Sequence, residues 1–221
     1  MVIAIDGPAG AGKSTVAKLL AERLGILHLD TGAMYRAAAL YALSKGCDPA
    51  DGKAAAALVD MIGVTVEPAE KGQRTFLNGA DVSEEIRQHH VSRAASDFSA
   101  HPSVRKKLAG LQREIASEIN MVLDGRDIGT YVLPDADFKF FLTADLTERA
   151  KRRALELNQK GRDVSVDEIY AELNERDKND SSRALAPLKR ADDAVEIDTT
   201  HISAEEAADR IFNIIKNSFS F

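Results

Sequence analysis

The sequence has a single cysteine, Cys47, so no internal disulfide can form, and no C-x-x-C pair offers zinc or thiol redox chemistry. A reduced, intracellular setting is the default expectation. Long apolar runs are also missing. The opening Val2-Ile3-Ala4-Ile5 stops at Asp6, too soon for a secretory signal, and no stretch approaches the roughly 20 apolar residues of a membrane span. The chain is therefore expected to be cytoplasmic and to have no membrane partner. Nor is there an excess of positive charge: 29 Lys and Arg stand against 35 Asp and Glu, a net charge of −6. That balance argues against a nucleic-acid partner, because binding a phosphate backbone needs a basic surface. The five histidines form no metal-ligand spacing. No internal repeat or low-complexity segment is visible beyond Ala54 to Ala57, which is good helix sequence.

What is present suits one globular body. At 221 residues and 44% hydrophobic content the chain can build a core without disulfides or structural metals. Short apolar runs alternate with longer stretches of helical period, the pattern of an α/β fold. Strands are expected at Val2 to Asp6, Leu27 to Asp30, Met121 to Asp124, Phe138 to Leu142 and Ala194 to Asp198. Five such strands with helical crossovers predict a doubly wound, five-stranded parallel sheet, whose ligands sit beyond the carboxyl ends of the strands. Four of the runs end at an acid: Asp6, Asp30, Asp124 and Asp198. Capping boxes at Ser203 to Glu206 and Ser165 to Glu168 predict two helices, the second running to about Arg176. The first places Ala204, Ala207, Ala208, Ile211, Ile214 and Ile215 on one face, to pack on the sheet. Around 63–88 the rhythm breaks. Val64 to Val66 and Thr75 to Leu77 flank the hairpin signal Asn78-Gly79, followed by Ala80 to Val82, and predict a small antiparallel β insert.

Charge is unevenly placed. Arg149 to Arg190 holds eleven Lys and Arg against eight Asp and Glu, or +3, which leaves −9 for the rest of the chain. A basic stretch in an acidic protein suits a small polyanion. Gly7-Pro8-Ala9-Gly10-Ala11-Gly12-Lys13-Ser14-Thr15 satisfies G-x-x-x-x-G-K-[ST] between an expected strand and an expected helix. Its backbone N–H groups and the helix dipole would cradle the triphosphate of ATP. Lys13 would bridge the β- and γ-phosphates, and Ser14 would bind Mg²⁺ with Asp124, from the end of another strand. Such a loop alone does not separate a kinase from a switch GTPase or a motor ATPase. The N-K-x-D tetrapeptide of guanine-specific switches is absent. Phosphoryl transfer to a small acceptor needs a second anion site and groups that neutralise transition-state charge, for which arginines are available.

Three further stretches carry a resemblance. Asp30-Thr31-Gly32-Ala33-Met34-Tyr35-Arg36, Asp124-Gly125-Arg126-Asp127-Ile128-Gly129-Thr130, and Glu175-Arg176-Asp177 through Arg183-Ala184-Leu185-Ala186-Pro187-Leu188, together with the phosphate loop, resemble the motif set of bacterial-type cytidylate kinases over essentially the whole chain. The family resemblance implies transfer from ATP to CMP or dCMP, with small-molecule nucleotides as the partners of a monomer. It implies a single kinase domain with a core of 1–32, 106–145 and 184–221. A nucleoside-monophosphate region at 33–105 would carry the β insert, and 146–183 would form a helical lid. By the same resemblance Arg36, Arg126 and Arg183 would hold the acceptor phosphate, and Thr31 would also bind CMP. Ser96, Arg105 and Asp127 would read cytosine, and Arg176 and Asp180 would lie near the sugar. Lid arginines Arg152 and Arg153 would join Lys13, Arg126 and Arg183 in catalysis. Thr31 stands where relatives often carry Ser and keeps the hydroxyl, while Asn179 and Ser181-Ser182 stand where relatives can be richer in arginine. Two readings compete: a related kinase with UMP or shikimate as acceptor, and a regulatory NTPase that hydrolyses ATP without an acceptor.

Overall fold

The structure, a computed structural model, describes residues 1–69 and 72–218. In chain order the elements are β1 (Val2–Asp6), α1 (Lys13–Leu24), β2 (Leu27–Asp30), α2 (Thr31–Ser44), α3 (Gly52–Leu58), β3 (Val64–Ala69), β4 (Gly72–Leu77), β5 (Ala80–Asp81), α4 (His89–Phe98), α5 (Pro102–Glu118), β6 (Met121–Gly125), β7 (Phe138–Thr143), α6 (Leu146–Gln159), α7 (Val166–Ser182), β8 (Val195–Asp198) and α8 (Ala204–Ser218). The expected five strands form one parallel sheet in the order β2-β6-β1-β7-β8, and β3-β4-β5 form the small separate sheet. The chain divides into two compact units, one made of Met1–Ile26 and the residues from Val122 on, the other of Leu27–Met121.

In the first unit β1 runs parallel to β7, with Ile3 opposite Phe138 and Asp6 opposite Phe141, and β7 runs parallel to β8. Ile3, Ile5, Phe140, Leu142 and Ile197 pack with Val16, Ala17 and Leu20 of α1 and with Ala207, Ala208, Ile211 and Ile215 of α8. The face expected on α8 is thus the one that meets the sheet, and the Ser203–Glu206 box opens the helix as expected, with both reciprocal bonds formed. Helices α6 and α7 pack on each other around Ala150, Ala154, Leu157, Ile169 and Leu173, and Ala9 of the phosphate loop joins that cluster. The Ser165–Glu168 box opens α7 as expected. The helix does not end near Arg176, however; it continues to Ser182. The added turns carry Asp177, Lys178, Asn179 and Asp180, which have no apolar period to announce them, and Asp180 is held by a long-range ion pair to Arg126 and a local one to Arg183.

In the second unit the three-stranded insert has the expected hairpin. Its β3–β4 pairing runs from Val64 opposite Leu77 to Ala69 opposite Gly72, and Leu77 pairs Ala80 in β5. Both central turn residues, Asn78 and Gly79, take positive φ, as a two-residue hairpin demands. Asn78 also accepts a hydrogen bond from Gly63 N at 2.7 Å, which ties the turn to the start of β3.

Candidate active site

β1 is the central strand, with β6 on one side and β7 on the other, so the loop after it opens where the connections diverge. Gly7 turns the chain away from the sheet at φ 147°, and a Cβ there would lie 2.0 Å from the Leu142 carbonyl oxygen. Only glycine passes that point. The loop then enters α1 at Gly12 with no side chain capping the helix. Its first-turn N–H groups are left for a ligand, and the positive end of the dipole favours an anion. Lys13 is buried and donates to the Pro8 carbonyl at 2.8 Å. Burial pushes its pKa well down, and the charge of Arg126 pushes the same way against the opposing pull of Asp124. Ser14 Oγ donates to Asp124 Oδ2 at 2.6 Å, so the two expected metal ligands stand together. Among the described residues no group of three or more His, Cys, Asp and Glu side chains converges.

Behind this loop lies a cluster of opposite charges. Asp180, 1% exposed, accepts from Arg126 Nε at 2.9 Å and from the Arg183 guanidinium. Burial alone would raise its pKa, but Arg126, Arg183 and Arg176 together outweigh burial and hold the carboxyl below the usual range. Arg176 and Asp180 share one face of α7, as their spacing of four implies. Three guanidiniums thus surround one carboxylate, and two of them, Arg126 and Arg176, also bear on Lys13. Asp127 is buried beside this group, its carbonyl accepting from Tyr131 N and Val132 N in a wide turn.

The expected lid arginines are engaged within the unit. Arg149, at the start of the basic stretch, is buried. It donates to the carbonyls of Ala144 and Ala9 at 3.0 and 2.9 Å and pairs with Asp177 at 2.6 Å. It therefore braces the phosphate loop from behind. Arg152 donates to the Thr199 and Thr200 carbonyls at 2.5 and 3.0 Å, and Arg153 pairs with Glu156 one turn on.

In the second unit Asp30 closes β2 and caps α2 by accepting from Ala33 N at 2.9 Å. Its other oxygen accepts from Arg36 Nη2 at 2.9 Å. Burial opposes ionisation there, but Arg36, His28 and the Ala33 amide outweigh it and keep the carboxyl low. Thr31 is buried in the first turn. Arg105, fully buried on α5, donates to the Ser99 carbonyl at 3.2 Å and stacks 5.3 Å over Tyr35. Ser96, one turn earlier on α4, is half-buried, and its carbonyl accepts from Ser99 Oγ.

Several functional contacts had no signal in the sequence. Gln73, in the insert, accepts from Asp30 N at 2.9 Å and donates to Asp30 O at 3.4 Å, so the insert braces the junction that carries Arg36. The Asp180 cluster and the Arg149 brace were equally invisible. Asp6 stood out only as one of four strand-end acids, although its place one residue before the phosphate loop was the available clue. In the structure both its oxygens accept from backbone N–H groups of Ile128 and Gly129, at 2.8 and 2.7 Å. Burial raises its pKa to about 7 despite those two bonds.

Comparison with known proteins places this arrangement. The family profile described as cytidylate kinase matches residues 3–217. A cytidylate kinase of Caldicellulosiruptor bescii is 48% identical over 219 residues, covering 97% of this chain and 97% of the relative. One of Geobacter sulfurreducens is 49% identical over 216 residues, covering 98% and 93%. Among solved structures, a shikimate kinase from Acinetobacter baumannii in complex with shikimate superposes with a TM-score of 0.51 at 18% identity, covering 100% of this chain and 95% of that one. At that identity the likeness concerns the fold alone.

Proposed function

The chain belongs to the cytidylate kinase family, and we propose how its residues divide the work of that activity, transfer of the γ-phosphoryl group of ATP to CMP or dCMP. Residues Gly7 to Thr15 receive the triphosphate, with backbone N–H groups as the cradle and Lys13 as the cation on the β- and γ-phosphates. An ammonium held down in pKa by burial and by the charge of Arg126 regains its charge preference when a polyanion arrives. Ser14 and Asp124 are hard oxygen donors already in contact, which suits Mg²⁺, an ion that takes one or two protein ligands and completes its shell with water and phosphate. When bound, it would neutralise charge on the β- and γ-oxygens.

The observation that carries the acceptor assignment is the excess of guanidinium charge around Asp180, next to Lys13. Arginine grips phosphate through paired hydrogen bonds and stays charged at any working pH. Arg126 and Arg183 are assigned to the acceptor phosphate, Arg176 and Asp180 to the sugar side, and Asp127 to cytosine. A carboxylate accepts from the cytosine amine but faces a carbonyl oxygen in uracil. UMP then leaves a buried acceptor unpaired, at a cost on the order of a few kcal/mol. Thr31, Arg36, Ser96 and Arg105 of the second unit are assigned to CMP on the family resemblance. Of the lid arginines, Arg153 is the cheaper to redeploy onto phosphate, because a partly exposed i,i+3 pair holds it by only a few tenths of a kcal/mol. Arg152 must first leave two carbonyls.

In-line attack by the acceptor phosphate needs positioning and charge neutralisation more than a covalent intermediate. The test is the initial rate of transfer from Mg·ATP to CMP, dCMP, UMP, AMP, GMP and shikimate, with an acceptor-free control and Lys13→Ala as the negative. CMP and dCMP are expected to dominate, and Lys13→Ala to remove most transfer. Comparable turnover of UMP would overturn the Asp127 assignment.

A further inference from the structure

Asp6 has no role in the assignments above, yet it is among the most constrained polar groups of the first unit. It closes β1 and is 4% exposed. Each carboxylate oxygen takes one backbone donor: Oδ1 from Ile128 N at 2.8 Å and Oδ2 from Gly129 N at 2.7 Å. These residues directly follow Arg126 and Asp127. A Cβ on Gly129 would lie 3.1 Å from the Lys139 side chain and 3.5 Å from Asp6 Oδ2, so the turn is seated closely on the carboxylate. From there Tyr131 N and Val132 N return to the Asp127 carbonyl, and the wide turn closes on the residue it follows. The ionisable neighbours that act on Asp6 are Asp127, which disfavours its charge, and Lys13, which favours it.

Burying a carboxylate away from a bonded cation is costly unless its lone pairs are satisfied. Two aligned N–H groups, one on each oxygen, offset part of that cost, and in return the bonds fix two consecutive peptide planes. We propose that Asp6 is a positioning residue for the acceptor nucleotide: its carboxylate fastens the Ile128–Gly129 turn to the strand that leads into the phosphate loop, and so sets Arg126 and Asp127 in register with Lys13. This rests on the reading of Arg126 and Asp127 as acceptor ligands.

The experiment compares Asp6→Asn, which keeps the shape and one acceptor oxygen, with Asp6→Ala, which keeps neither, and runs Arg126→Ala in parallel. For each, KM for CMP, kcat, and the Kd of ATP without acceptor are measured. The expected result is a rise in KM for CMP on the order of tenfold in Asp6→Asn and more in Asp6→Ala, in line with loss of hydrogen bonds to a charged group. ATP Kd is expected to stay within about threefold, since the phosphate loop's own N–H groups are untouched. If Arg126→Ala raises KM for CMP while both Asp6 variants match the wild type, the inference fails and the acceptor reading stands. If ATP and CMP affinity fall together, Asp6 merely supports the strand and the inference also fails. If Arg126→Ala leaves CMP kinetics unchanged, the acceptor reading itself falls and takes the inference with it. Should neither Asp6 variant fold, amide hydrogen exchange in the ligand-free wild type decides. Ile128 and Gly129 are expected to be protected like core strand amides, and exchange at exposed-loop rates would overturn the clamp.

Discussion

Asp6 and Asp180 are both buried carboxylates of the first unit, and burial pushes both upward in pKa. Their partners then divide them. Asp6 is met by two N–H dipoles that belong to the backbone, and its pKa stays at about 7. Asp180 is met by guanidinium charges on long side chains, and its pKa falls below the ordinary range. The difference teaches what each arrangement is good for. Fixed dipoles stabilise a charge weakly but hold geometry. Full charges stabilise it strongly and gather guanidiniums that an incoming phosphate can engage. One region is a clamp and the other a store of charge.

The sharpest way to break this comparison is to remove a member of the store. Arg126→Ala is expected to lower kcat/KM for CMP by about 10² to 10³, the size seen when a positioned transition-state donor is lost. Steady-state kinetics with CMP and dCMP would show it, and a loss under tenfold would make Arg126 an ordinary ion-pair partner of Asp180.

Next in size is Asp180→Asn, which removes the buried carboxylate that Arg126 and Arg183 donate to and is expected to cost about 3 kcal/mol of stability. Because Asp180 is assigned to the sugar side of CMP, saturating CMP should stabilise the variant less than the wild type in thermal melts. Equal stabilisation of both proteins by CMP would argue that the cluster is structural only.

The pH dependence separates the two aspartates by sign. Asp6 has a folded pKa above its unfolded value, so the folded state holds the proton more tightly. Its contribution favours folding at low pH, declines as pH rises from about 4 toward about 7, and is flat beyond. Between pH 5.5 and 7 this amounts to at most about 2 kcal/mol. Asp180 has a depressed folded pKa, so its contribution is present above the ordinary carboxylate pKa and is lost as pH falls through the folded one. Denaturant titrations should show the wild type losing stability relative to Asp6→Asn as pH rises from about 4 toward about 7. The same comparison for Asp180→Asn should narrow only in strong acid.

The smallest effect is expected at Arg153, whose partner Glu156 is itself partly exposed. Arg153→Ala should change stability by under about 0.5 kcal/mol, while KM for ATP rises severalfold if the residue serves as a lid cation. An unchanged KM would return Arg153 to the solvated face of α6.

Much of this was legible in the residues. The five strands, the two capping boxes and the hairpin at Asn78-Gly79 follow from local period and capping chemistry, which a short window contains. The phosphate loop is equally local, since strand, glycine turn and helix are contiguous. Ser14 and Asp124 could be named as expected metal ligands because strand-end position is readable even when the two stand 110 residues apart. The last turns of α7 were not legible, because their stability comes from Asp180 pairing with Arg126 across 54 residues and not from any apolar stripe. Nor was Gln73 legible, since nothing in β4 announces a contact with Asp30.

The sequence by itself determined the order of elements, the triphosphate loop and the family motifs, because each rests on neighbours a few positions apart. Only the tertiary structure decided that Asp6 takes its donors from residues 122 and 123 positions away, that three arginines gather on Asp180, and that two buried aspartates move in opposite directions. Ionisation and positioning depend on which groups packing brings within a few ångströms and how much water it removes. Neither quantity exists along the chain until it is folded.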